Sequence, residues 1–184
     1  MKHIISVIVA LACLLMITTG GAAKEPPANK YIGVKSCSMC HKAEKAGNQF
    51  GVWQKSKHAT AYKTLTTPKA AEVAKAKGLK KAANESAECL QCHAITADAA
   101  QAEKAFDVKD GVQCEMCHGP GSAYKSPTTM KDKAKAVAAG LVMYKDGAAI
   151  EAKCKTCHND KSPTFKDFKF NELWPKIKHS KPKS

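Results

Sequence analysis

Hydrophobic positions are unevenly spread along this chain. An apolar stretch runs from Ile4 to about Thr18, behind Met1, Lys2 and His3 and ahead of the small residues Gly20, Gly21, Ala22 and Ala23. A positive start, an apolar core of about 15 residues and a small-residue exit describe a secretory leader, and the core is short of the roughly 20 residues a membrane-spanning helix needs. Lys24, Glu25, Pro26 and Pro27 then change the composition abruptly. Cleavage is expected after Ala23, which makes residues 1–23 a signal peptide and residues 24–184 a periplasmic or exported mature chain with no transmembrane span. The competing reading is a lipoprotein anchored at Cys13, but Ala10, Leu11 and Ala12 fit its cleavage box poorly.

Beyond the leader, apolar positions are sparse and their spacing is helical. Residues 24–36 read as an extended lead-in. Phe50, Trp53, Ala61, Tyr62 and Leu65 recur at helical spacing with His58 on or near the same face, which predicts a helix carrying an imidazole on a buried stripe. Thr67 followed by Pro68 marks the start of a second helix whose Ala/Lys pattern runs to about Ser86, with Gly78 as a weak point. Short helices are expected over residues 96–106 and from about Met130 to Gly140, the latter ended by a glycine suited to a left-handed cap. Strand signals are few, so the pattern predicts a mostly α, single-domain fold with long loops.

Composition changes that picture in one respect. Phe, Trp and Tyr together supply only 11 residues, while Lys and Ala dominate, so the 161 residues left after cleavage are poorly equipped to build an ordinary side-chain core. The apolar mass has to come from elsewhere, and the cysteines say from where. Cys13 lies in the leader; the other eight form the pairs Cys37/Cys40, Cys89/Cys92, Cys114/Cys117 and Cys154/Cys157, each with two intervening residues and each followed at once by a histidine: His41, His93, His118 and His158. This is the haem c attachment signature four times over. Two thiols three positions apart on a helical turn can form thioethers to both haem vinyl groups, which sets the next residue beneath the iron as its proximal ligand. Paired cysteines also serve zinc sites and redox disulfides, but neither chemistry requires a histidine after every pair. Four haem c groups, at roughly 40 residues each, would leave most of the chain wrapping cofactor. The attachment sites start 52, 25 and 40 residues apart, so they do not form a tandem repeat.

Four six-coordinate irons need four distal ligands, and the mature chain has two histidines outside the motifs, His58 and His179. At most two haems can therefore be bis-histidine. Met39 and Met116 lie inside attachment loops, leaving Met130 and Met143 as methionine candidates; each could equally be a gap-filling apolar side chain. Methionine ligation would raise a haem potential. Ligation is the favoured reading of His58, because the haems are short of ligands. His179, in the lysine-rich segment from Lys176 to Pro182, reads locally as a free tail histidine.

Every basic residue is lysine: 30 of them stand against 16 acidic residues, and loss of Lys2 with the leader brings the formal net charge from +14 to +13. Nucleic acid is excluded as a partner, since base recognition uses arginine forks and exposed aromatics and an exported protein rarely meets it. A surplus of positive charge suits docking onto redox partners with acidic surfaces; the plainer reading is a solvated lysine surface.

These residues resemble the tetrahaem cytochrome c554 family. The resemblance runs from about Tyr31 to His179 and rests on Gly33 to His41, on Trp53 to Ala61 around His58, on Gly111-Val-Gln-Cys-Glu-Met-Cys-His-Gly-Pro-Gly121, and on Cys154 to Phe170 with Ser162-Pro-Thr-Phe165. It implies that His58 and His179 are distal iron ligands. The family also has a distal histidine shortly after the Gly-Pro-Gly of the third site, serving the first haem; this sequence has none there, and Met130 stands nearest. The resemblance thus implies His41/Met130 at the first haem, with the second haem, at His93, open or loosely approached by Met143. The expected function is electron transfer between redox partners in a respiratory chain, without catalytic residues. The alternative is a reductase of nitric oxide, nitrite or hydroxylamine at a five-coordinate second haem, although no His, Arg or Tyr cluster near His93 is recognisable as a proton-delivering site. A third reading, a structural subunit of a haem filament or conduit, has no repeat or interface signature behind it.

Overall fold

Local signals decide where the short helices of this chain begin and end. The structure, a computed structural model, describes residues 28–181; the expected leader, its cleavage point and Cys13 lie outside the described residues. Among the described residues there are ten α-helices, the longest of nine residues, and five 3-10 turns, with no strand beyond a single bridge between Tyr31 and Ala102. The mostly helical expectation holds.

Helix α1 (Val34–His41) carries the first cysteine pair. Helix α2 (Gln49–Gln54) follows, capped by the Asn48 side chain, which accepts from Gly51 N at 2.9 Å. The single helix expected around His58 is interrupted instead: Ser56 is extended, and His58 sits in a 3-10 turn, Lys57–Thr60, before α3 (Ala61–Thr64). The break has a reason in the packing. Trp53 donates its indole N–H to Val112 O at 2.7 Å, and Val112 N donates to His58 O at 3.0 Å, so the turn is bound to the chain ahead of the third cysteine pair rather than to its own helix.

Helix α4 (Pro68–Ala76) starts as its sequence predicts, with Thr67 Oγ1 accepting from Ala70 N at 3.3 Å and proline in the first turn. It stops at Gly78, short of Ser86, and α5 (Ala87–His93) carries the second pair. The expected helix over 96–106 does not form. The Asp98 carboxylate takes the N–H groups of Ala100 (2.8 Å) and Gln101 (2.9 Å) in a turn, and Tyr31 exchanges backbone bonds with Gln101 and Glu103. Those partners replace the helical ones. Helix α6 (Cys114–His118) carries the third pair. The segment from Met130 to Gly140 is split into α7 (Pro127–Met130) and α8 (Lys133–Ala138) because Asp132 caps a fresh start, its carboxylate accepting from Lys135 N at 3.1 Å; Gly140 ends it with φ of 103°, as expected. Helix α9 (Gly147–Lys155) brings in Cys154, and α10 (Phe170–Leu173) leads to the C-terminal tail.

The side-chain core is small. Its buried apolar members are Ile32, Val34, Leu65, Ala74, Ala83, Ala94, Ile95, Tyr124 and Ala136, four of them alanines. What ties the first attachment segment to the third is polar. Glu115, 2% exposed, accepts from Ile32 N (2.9 Å), Gly33 N (2.8 Å) and Gly121 N (2.7 Å); its neighbour Gln113, equally buried, accepts from Val34 N at 2.8 Å and donates to Asp107 O at 2.8 Å. Gly33 is required there: its φ is 80°, and a Cβ would stand 2.7 Å from Ala105 O.

A buried carboxylate with three N–H donors is satisfied; its amide has one acceptor fewer and turns donor hydrogens toward donors. Glu115→Gln should therefore destabilise the protein by about 3 kcal/mol, read from chemical denaturation, and an unchanged midpoint would show that the carboxylate does not hold the two segments together.

Candidate cofactor site

Each cysteine pair lies on a helical turn that ends at or beside its histidine. In the fourth, the turn continues past α9 through a bond from His158 N to Cys154 O at 2.9 Å. The four turns lie against one another in an order that differs from their order in the chain. The Cys37 and Cys114 thiols lie close enough to influence each other, which pushes the Cys37 thiol up and the Cys114 thiol down. Cys117 is raised by burial first and then feels Cys154, Cys114 and Cys157. Cys92, pushed up to about 11, answers to burial first and Cys157 next, and Cys157 Sγ lies 3.9 Å from Gln91 O. Read through these contacts, the attachment sites run first, third, fourth, second.

Hydrogen bonds fix the rings of three motif histidines. His93 Nδ1 lies 2.9 Å from Ala61 O and His118 Nδ1 lies 3.1 Å from Val142 O; a carbonyl can only accept, so Nδ1 carries the proton and Nε2 keeps its lone pair for a metal. His41 Nδ1 has a side-chain partner, Gln49 Oε1, at 3.2 Å. His158 stacks on Phe168, with ring centroids 4.9 Å apart. Backbone acceptors of this kind leave no trace in the sequence, whereas Glu115 stood in plain view inside its motif.

The structure brings His58 to His158, with ring centroids 6.1 Å apart, and His179 to His118, with centroids 6.0 Å apart. A metal–imidazole bond of about 2.0 Å and a ring centre about 1.1 Å behind its nitrogen put two trans-axial imidazoles roughly 6.2 Å apart. Both pairs match that separation. His179, unpromising in its sequence surroundings, is thus set opposite a motif histidine by the tertiary structure. The methionines are placed less tellingly. Met130 is half-buried at the end of α7, and Met143 is 42% exposed, just after the Val142 carbonyl that faces His118.

His93, His58 and His158 line one cavity of about 730 Å³ together with the cysteines of the second and fourth sites. Leu65, Ala70, Val73 and Phe165 are among its apolar walls; neither Met130 nor Met143 lines it. An apolar chamber with thiols and imidazoles at its edge fits a porphyrin. A tetrahedral zinc site would need four ligands at one point, and among the described residues no three His, Cys, Asp or Glu side chains converge as a metal-ion site. All eight described cysteines are free.

Paired thiols on helical turns, imidazoles beside them, and an apolar chamber between them fit the covalent holding of haem that defines c-type cytochromes. Residues 36–119 match the family model described as cytochrome c554 and c-prime, and the chain is 28% identical over 174 residues to the cytochrome c-554 of Nitrosomonas europaea, an alignment covering 86% of this chain and 69% of that one. Both comparisons liken the chain to the cytochrome c554 family. No solved structure matches the chain.

The surroundings of His58, His118 and His158 favour the neutral imidazole. Burial pushes His58, His118 and His158 below their usual 6.5, with the facing imidazoles adding to the shift: His158 on His58, His179 and His41 on His118, His93 on His158; at His118 the bond to Val142 O works the other way. The folded state then binds fewer protons than the unfolded state below pH 6.5 and the same number above it, so stability is lost on acidification. Denaturation midpoints should hold steady from pH 8 to about 6.5 and fall below it; a flat profile down to pH 5 would contradict neutral imidazoles.

Proposed function

We propose that this chain is a periplasmic tetrahaem electron carrier. Haem would be held by the cysteine pairs, with His41, His93, His118 and His158 as proximal ligands, and the iron supplies reversible one-electron exchange. The chain's own residues do the rest. His58 and His179 complete bis-histidine sets with His158 and His118, and the observation that carries this reading is the pair of imidazole separations near 6 Å. The continuous first-third-fourth-second series of cysteine contacts supports transfer through the protein from one end to the other. Met130 remains the proposed distal ligand of the first site.

Partner docking is proposed at the mouth of the shared cavity, where Lys57, Lys69, Lys153, Lys161 and Lys166 stand. They suit an acidic redox protein, whose encounter rate positive charge would raise. A single one-electron carrier needs no catalytic residue. A reductase at the second site is the second reading, and one observation favours it: the cavity around His93 offers no histidine or methionine beyond His58, His158 and the attachment-loop Met116. The second iron would then be open to a small molecule, since Met143 is not among the residues that line the cavity. Among the described residues no helix is long and apolar enough to cross a membrane; the periplasmic location rests on the leader.

The mature holoprotein should show a c-type spectrum and a mass corresponding to four haems, and carbon monoxide should bind at the second site alone or, where methionine ligation is weak, at the first as well. A mass equal to the bare polypeptide would end the reading. Carbon monoxide binding to none of the haems would remove the reductase. His58→Ala should add one site reactive to carbon monoxide, and an unchanged stoichiometry would take His58 off the ligand list. Raising ionic strength from 0.01 to 0.15 M shortens the Debye length from about 30 to about 8 Å and should slow reduction by an acidic partner; indifference to salt would count against the docking face.

A further inference from the structure

Among the motif histidines, His41 differs from His93 and His118 in the partner of its Nδ1. Theirs are backbone carbonyls; His41 faces the Gln49 side chain, with Oε1 at 3.2 Å. Gln49 is buried, and its amide nitrogen donates to Ala46 O at 2.6 Å and to Ser180 O at 2.9 Å. Both amide protons are thereby used on carbonyls, which turns the amide oxygen toward His41 as an acceptor and leaves Nδ1 as the donor.

Ser180 follows His179, the residue facing His118. One side chain therefore touches the proximal histidine of the first site and holds the backbone beside the distal histidine of the third. The local chain is bent to put it there. Gly47 and Asn48 are both left-handed, at φ of 98° and 43°, and Asn48 is the one described non-glycine residue with positive φ. A Cβ on Gly47 would stand 2.7 Å from Gln49 Nε2 and 3.3 Å from Lys181 O, so the turn leaves room for both the amide and the tail. Strain of this kind is kept where the surroundings fix it.

We propose that Gln49 is a positioning residue for two neighbouring irons: it strengthens His41 as a donor through Nδ1 and anchors the tail so that His179 stays opposite His118. The inference rests on the haem reading above. An acceptor on Nδ1–H makes the imidazole a stronger donor and favours the ferric state, while a tail without its anchor gives up a distal ligand.

Two variants separate these roles in the mature holoprotein. Gln49→Leu removes both: at a fixed ambient potential the reduced-to-oxidised ratio of one haem should rise on the order of tenfold, about 59 mV for one electron, and one further haem should bind carbon monoxide and turn high-spin in electron paramagnetic resonance. Gln49→Glu keeps an acceptor for His41 but loses the donors to Ala46 and Ser180, so the extra carbon monoxide site should appear, with the change in potential that loss of a ligand brings to that haem, while the haem held by His41 shows no rise. Four haems by mass with both properties as in the parent protein would overturn the proposal. A Gln49→Glu protein in which the haem held by His41, as distinct from the one that gains carbon monoxide binding, rises as in Gln49→Leu would overturn the acceptor role. Should Gln49→Leu fail to accumulate, Gln49→Glu still decides, because parental carbon monoxide stoichiometry in it refutes the anchor. Absence of haem from the parent protein would refute the haem reading instead, a separate result.

Discussion

A buried carboxylate sets the geometry on which the cofactor site depends. Glu115 lies between the third pair of cysteines and spends its oxygens on the N–H groups of Ile32, Gly33 and Gly121. Ile32 and Gly33 open the helix that carries Cys37 and Cys40, so the first and third attachment turns cannot separate without stripping a charged group of its partners. That cost, at a buried position, outweighs what the few buried alanines contribute by packing. Gln113 repeats the arrangement one step along, on Val34. The hydrogen-bonding side chain at position 115 thus does in this chain what apolar side chains do in better-provided domains.

The second and fourth sites are organised by a chamber. Helix α4 supplies Ala70 and Val73 to its lining, α5 supplies Cys89, Cys92 and His93, the turn holding His58 supplies an imidazole, and the segment around His158 contributes Cys154, Cys157 and Phe165. Leu65, Ala74 and Ala83 form the modest cluster behind it. Under the proposed function the two ends differ chemically: a first-to-third pair fastened by polar side chains, and a fourth-to-second pair sharing an apolar space where the second histidine has no facing imidazole of its own. An electron carrier gains direction from such inequality, because environments of different polarity and ligation give different potentials. Gln49 belongs to the same logic, since it is the side chain through which the polar end touches the tail.

The tail shows how thin the margin is. Among the described residues after Lys176 there is no helix or strand; a short 3-10 turn, Trp174–Lys176, precedes the segment, and a bond from Gln49 to Ser180 ties it down where His179 meets His118. Phe170 and Trp174 stack at 6.1 Å to steady the approach.

The sequence by itself determined the chemistry: cysteine spacing followed at once by histidine is a local, covalent requirement, and it is readable without a fold. It also determined the scarcity of distal ligands, which is a matter of counting, and the helix starts at Thr67 and Pro68, where cap and proline act within one turn. The tertiary structure alone decided which turns lie side by side, because the cysteine contacts join residues far apart in the chain. It decided against the helix over 96–106, where Asp98 and Tyr31 offered the backbone other partners, and it broke the helix at Ser56 so that His58 could bind Val112. It also decided where His179 lies, 6.0 Å from His118 between ring centroids, a distance set by the whole fold.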